Sequence, residues 1–199
     1  MKVVVIGASG KIGSEIVTLL EADHEVVKVS RSSGDILADY ADAQSTKAMF
    51  EQIGGFDALI SVAGGDSVFK DVDELEDADF AHGFERKLLG QIRLLRLGAE
   101  TANKNAVFLF SSGFLSHYPN RFSLATGPFN AAIDTYVQQV APMLPNGIRA
   151  KVVSPAPVVP EERTKTGLIS AKTAAEAYVA ALNEPGTGQI VRAWGGLET

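Results

Sequence analysis

The first thirteen residues read MKVVVIGASGKIG, and they restrict the fold more than any other stretch. A short apolar run, Val3–Ile6, fits a buried strand. It ends in glycines at positions 7, 10 and 13, and an apolar helical pattern starts at once with Ile12, Ile16, Val17, Leu19 and Leu20. Glycines let a backbone turn sharply and come close to a pyrophosphate. The free N–H groups and the dipole at the following helix start favour its negative charge. Strand, glycine turn and helix together imply a dinucleotide site, in which Gly7, Ser9, Gly10, Lys11, Ile12 and Gly13 face the cofactor.

The rest of the chain repeats the alternation of strand and helix. Apolar runs predict strands over 3–6, 26–30, 58–62, 107–110, 148–153 and 189–191, with a short one near 36–38. Helical patterns cover 11–21, 45–53, 84–102, 129–144 and 171–182. Such an alternation implies right-handed crossovers and a parallel sheet covered on both faces, an α/β fold. With 199 residues and no linker-like tract, a single domain over 1–199 is expected. The acidic run Asp71–Asp79 reads as a solvated loop and helix start. Residues 154–167, SPAPVVPEERTKTG, follow a strand, so they lie at the carboxyl edge of the sheet as a plain connection or a short lid.

Composition narrows the function classes. A net charge of −6 argues against nucleic acid or an anionic membrane as the main partner. The absence of cysteine excludes disulfides, zinc-thiolate sites and a thiol nucleophile. Three scattered histidines predict no metal site. No leader pattern and no bilayer-length apolar run are visible, so a cytoplasmic location is expected.

Further residues fit the dinucleotide site. The second strand ends in Ser30-Arg31-Ser32-Ser33. An acidic residue there would bind a ribose 2′-OH, whereas Arg31 with Ser32 suits a 2′-phosphate, which favours NADP over NAD. The alternative is a plain surface arginine. Asp39 follows the third strand, placed to meet an adenine amino group. In Ser61-Val62-Ala63-Gly64, the small residues Ala63 and Gly64 let a ribose or nicotinamide lie against the backbone. Pro155 follows the sixth strand, where the nicotinamide end is expected.

These pieces resemble the short-chain dehydrogenase/reductase family across nearly the whole chain. The matching segments are GASGKIG (7–13), SVAG (61–64), KLLG (87–90), FLFSSG (108–113), GIRAKVVSPAP (147–157) and GQIVRAWGG (188–196). The resemblance implies a single-domain, Rossmann-like, doubly wound parallel sheet of about seven strands. It also implies reversible hydride transfer between NAD(P) and a carbonyl or alcohol. The family usually has glycine where Lys11 stands, so Lys11 either contacts the phosphates or points to solvent.

The family's catalytic set is Ser, Tyr and Lys, with an Asn on the preceding long helix. Ser112 matches the serine, with Ser111 as the adjacent alternative. Aligning SLATGPFNAAID (123–134) puts Thr126 at the tyrosine and Asn130 at the lysine. A threonine alcohol is far too weak an acid to replace a phenol, and Asn130 carries no charge. The usual Asn position is Lys87. Lys87 is expected to enter the same cavity from the other wall, paired with Asn130, and a partly buried lysine can itself act as acid or base. The alternative is a solvent-facing lysine. His117 and Tyr118 follow the fifth strand, as proton donors or as plain surface residues. The helices over 84–102 and 129–144 are apolar on more than one face, and the resemblance implies that they build a homodimer or tetramer. The expected function is NADP-dependent oxidoreduction of a small carbonyl or alcohol through an atypical site. The alternatives are a catalytically inactive NADP-binding sensor or regulatory protein, and a purely structural dimer.

Overall fold

The computed structural model describes residues 1–62, 64 and 67–197. Among them, seven parallel strands form one sheet in the order β3-β2-β1-β4-β5-β6-β7. They are β1 (Lys2–Ile6), β2 (Glu25–Ser30), β3 (Ile36–Leu37), β4 (Ala58–Ser61), β5 (Val107–Ser111), β6 (Arg149–Pro155) and β7 (Ile190–Ala193). The helices are α1 (Lys11–Leu20), α2 (Ala43–Ile53), α3 (Asp77–Gly83), α4 (Gly90–Thr101), α5 (Gly127–Val140) and α6 (Ala171–Asn183).

Strand side chains alternate between two buried faces, which is why the strands read as continuous apolar runs. Val3 and Val5 of β1 pack with Ile16, Val17 and Leu20 of α1 and with Tyr178 of α6. Val4 and Ile6 face the other way, toward Phe50 of α2, Leu94 of α4 and Ile133 of α5. From β1 the chain steps outward to β2 and β3, then returns past β1 to β4. That reversal opens a crevice above the carboxyl ends of β1 and β4, the usual ligand position in such sheets.

The expected strands agree with the observed ones to within about two residues. The expected helix over 84–102 does not form as one α-helix. A π-helical turn, Phe84–Leu89, separates α3 from α4. Its two ends are glycines pressed on aromatic rings. A Cβ on Gly90 would lie 2.6 Å from the Tyr40 ring, and one on Gly83 would run into Phe129. A π-turn admits an extra residue and rotates the side chains that follow, and such turns gather at functional sites. The helix expected over 129–144 begins earlier, at Gly127, with Pro128 in its first turn, where a missing N–H costs nothing. It gives way after Val140 to a 3-10 turn, Ala141–Met143, that contains Pro142.

The acidic run holds a 3-10 turn, Val72–Glu74, and the start of α3. Two of its members also pair, Asp71 with Arg121 at 2.5 Å and Asp79 with Lys70 at 2.9 Å. The 154–167 segment is tied down by bridges between Val158 and Ile169 and between Lys165 and Leu168. Among the described residues no helix is long and apolar enough to cross a membrane.

Candidate active site

A cleft of about 740 Å³ opens over the carboxyl ends of the central strands. The glycine turn forms one end. Gly7 has φ 86°, a left-handed conformation that favours glycine. A Cβ on Gly13 would run into the Gly7 carbonyl, so α1 approaches the turn only because position 13 has no side chain. Gly10 caps α1 without any side-chain hydrogen bond. The first-turn N–H groups therefore remain available to an external acceptor. Ser9, Lys11 and Ile12 line the same end. Arg31 and Ser32 line the cleft beyond β2, and Gly64 and Pro155 line it toward the other end. Ala63 lies outside the described residues. Free N–H donors at one point and a guanidinium at another fit a dinucleotide that carries a pyrophosphate and a further anionic group.

Asp39 lies between Ala38 and Tyr40, which line the cleft. Its carboxylate pairs with Arg86 at 3.3 Å and accepts a hydrogen bond from the Ala41 N–H at 3.0 Å. It lines an adjoining groove with His82 and Glu85.

The π-turn delivers Lys87 to the cleft. Its ammonium donates to the Ser112 carbonyl at 3.2 Å and lies 3.5 Å from where a Gly64 Cβ would be. Lys87 is half-buried in the cleft wall. Burial pushes the Lys87 pKa down to about 8, and the charge of Asp134 pulls the other way. Roughly nine-tenths of such a group is ammonium at pH 7.

The two adjacent serines have separate roles. The Ser111 hydroxyl donates to the Ser61 carbonyl at 2.5 Å and lies 2.5 Å from the Tyr178 hydroxyl. It ties β5 to β4 and α6, and Ser111 and Tyr178 both line the cleft. Ser112 also lines the cleft, and its hydroxyl is buried without a partner among the described residues.

Asn130 lies beneath Gly113, where a Cβ would come within 2.9 Å of its Nδ2, and its Oδ1 has no partner among the described residues. Lys87 bonds Ser112 rather than the expected Asn130. One turn beyond Asn130 on α5 stands Asp134, a buried acid that the motif comparison did not single out. Burial raises its pKa, while Ser112, His117, Lys87 and Arg192 each lower it. Ser112 is close enough to favour the charged form, yet neither its Oγ nor Asp134 Oδ1 makes a hydrogen bond of ordinary geometry. The available signal was local, an acid set between Ile133 and Val137 on the apolar side of a helix.

Thr126 lines a pocket that adjoins the cleft and shares Gly64 and Lys87 with it, whereas Tyr118 lines neither. The Thr126 hydroxyl donates to the Val68 carbonyl at 3.2 Å. The Tyr118 ring stacks on Phe114 and meets Trp194 edge-on, and His117 tilts against the same Trp194. Arg192 covers that indole at 5.0 Å.

Residues 3–140 match the NAD dependent epimerase/dehydratase family. Among solved structures, the protein lin1944 from Listeria innocua is 31% identical, with a TM-score of 0.89 over 96% of this chain and 98% of that one. A small-chain dehydrogenase in complex with NADPH is 26% identical, with a TM-score of 0.89 over 98% of this chain and 97% of that one. Another small-chain dehydrogenase is 28% identical, with a TM-score of 0.87 over the same shares. No curated protein matches the sequence.

Proposed function

The chain belongs to the short-chain dehydrogenase/reductase family, and from that premise we propose that it is an NADP(H)-dependent oxidoreductase of a small carbonyl or alcohol, with residues 1–199 as one NAD(P)-binding domain. The observation that carries this proposal is that the glycine turn, Arg31, Ser112 and Lys87 line a single cleft. A guanidinium beside Ser32 suits a 2′-phosphate better than a bare ribose hydroxyl.

When bound, the reduced dinucleotide supplies a hydride. The chain's own residues do the rest. First-turn N–H groups and Lys11 hold the pyrophosphate, and Arg31 and Ser32 hold the adenosine 2′-phosphate. Gly64 and Pro155 leave backbone room for the nicotinamide ribose. The Ser112 hydroxyl polarises the substrate carbonyl. The Lys87 ammonium, fixed by the Ser112 carbonyl, stabilises negative charge that develops on the substrate oxygen. It stands in for the charge that the family draws from the position held here by Asn130.

Calorimetry with NADPH and NADH on the wild type and Arg31→Asp tests this. NADPH should bind more tightly than NADH, and the substitution should remove the preference at a cost of about tenfold or more in NADPH affinity. No binding of either nucleotide would refute the proposal. A second function, a catalytically inactive NADP-binding sensor, is favoured by one observation. The group at the family's phenol position, Thr126, is spent on the Val68 carbonyl. Tight NADPH binding with no turnover on a carbonyl panel would select it. We also propose a homodimer or tetramer through the faces of 84–102 and 129–144, where Leu88, Leu89, Ile92, Tyr136 and Val140 are only half-buried.

A further inference from the structure

Three buried side chains meet behind the catalytic end of the cleft with oxygen atoms that lack partners among the described residues: Ser112 Oγ, Asn130 Oδ1 and Asp134 Oδ1. Burying one such group costs about 1–3 kcal/mol, so three together are unusual unless the site uses them. Asp134 is 5% exposed and Ser112 4%. Ser112 lines the cleft while Asp134 does not, and the Ser112 side chain is close enough to Asp134 to favour its charged form. A carboxyl, a hydroxyl and an open site in that order make a path for a proton.

We propose that Asp134 supplies the proton of carbonyl reduction through Ser112, as a positioning residue that never touches the substrate. The inference rests on the oxidoreductase function proposed above. The balance is simple. The Asp134 O–H bond breaks as Ser112 Oγ accepts its proton, and the Ser112 O–H bond breaks as the substrate oxygen accepts the other. The hydride and its electron pair come from the reduced nicotinamide dinucleotide. Asp134 is left as a carboxylate and regains a proton from solvent.

The groups around Asp134 suit both states. Burial favours the neutral acid before the transfer. Three cationic or protonatable groups face it from three elements: Lys87 from the π-turn, His117 from the loop after β5, and Arg192 from β7. They stabilise the carboxylate after it. Asn130, on the same helix, adds no charge.

The test joins a spectroscopic and a kinetic measurement. Difference infrared spectra of wild type minus Asp134→Asn, recorded across pH without ligand, should show a protonated carboxyl that persists above the ordinary carboxylate range. Ser112→Ala should move its ionisation higher still, because Ser112 favours the charged form. With NADPH and a carbonyl that the wild type reduces, Asp134→Asn should lose about 100-fold or more in kcat with NADPH affinity unchanged. Asp134→Glu should restore part of the loss, and the wild-type rate should fall as pH rises through the infrared ionisation. A carboxyl that titrates in the ordinary range overturns the inference, as does an Asp134→Asn protein within a few-fold of wild-type kcat. If wild type binds NADPH yet reduces nothing, the oxidoreductase proposal fails and the proton-supply inference fails with it, whatever the infrared band shows. If wild type turns over and only the Asp134 variants behave as wild type, the inference alone fails.

Discussion

Lys87→Met should stabilise the folded chain, and the gain should depend on pH in a direction fixed by burial. A free lysine holds its proton to about 10.5, whereas burial brings Lys87 to about 8. Between those values the unfolded chain binds more protons than the folded one, so stability rises with pH across that window. The cost of the buried ammonium is full below pH 8 and gone above 10.5. From the two pKa values it is on the order of 3 kcal/mol at pH 7 and under about 1 kcal/mol at pH 10. Methionine keeps the length of the stem without the charge, so its advantage over lysine should shrink by roughly 2.5 kcal/mol between those pH values. The value of about 8 already includes the pull of Asp134 on the ammonium, so that pair needs no separate correction. The change with pH is more diagnostic than either absolute value, because the packing difference between lysine and methionine is the same at both pH values. Urea unfolding followed by circular dichroism at pH 7 and pH 10 gives both differences, and titrations common to the two proteins cancel. A wild-type-minus-variant difference that stays flat over this interval would sink the claim that the Lys87 ammonium is buried.

Gly13→Ala places a methyl group against the Gly7 carbonyl. It should lower stability by about 1–3 kcal/mol in a thermal melt and weaken NADPH binding, because α1 must back away from the turn. An unaltered melt would mean that the turn is looser than its geometry. Light scattering at micromolar concentration should give a dimer or tetramer, and a monomer would remove the interface proposed for 84–102 and 129–144.

What could be foreseen from the sequence was what depends on neighbours along the chain. Strand ends, the glycine turn and the cation after β2 are each written within a few consecutive residues, and the structure gathers them in one cleft. Side-chain choices made across long separations were hidden. Ser111 and Ser112 look equivalent in FLFSSG, yet the hydroxyl of Tyr178, 67 positions away, meets that of the first, while that of the second has no partner among the described residues. The ion pair of Asp39 with Arg86 joins residues 47 positions apart. The π-turn rests on Gly83 and Gly90, whose lack of a Cβ matters only once Phe129 and Tyr40 are packed against them. No periodicity in 84–102 carries that information.

The same packing bears on how the proposed site would handle a proton near neutral pH. A phenol starts near 10 and must be pulled down by a neighbouring positive charge. Here two groups start on opposite sides of neutrality, and burial moves both inward. Lys87 comes down to about 8, and Asp134 rises from the carboxylate range. Each opposes the other's shift, since an ammonium favours a nearby carboxylate and the carboxylate favours the ammonium. The protons on Lys87 and Asp134 are therefore coupled, and what happens to one changes the hold on the other. Ser112 holds Lys87 through its carbonyl, and its side chain favours the charged form of Asp134. In the proposed reaction a serine placed near a buried acid and a buried base would do what neither Thr126 nor Asn130 can do. That makes Ser112, with its two different polar groups, the residue on which the proposed chemistry turns.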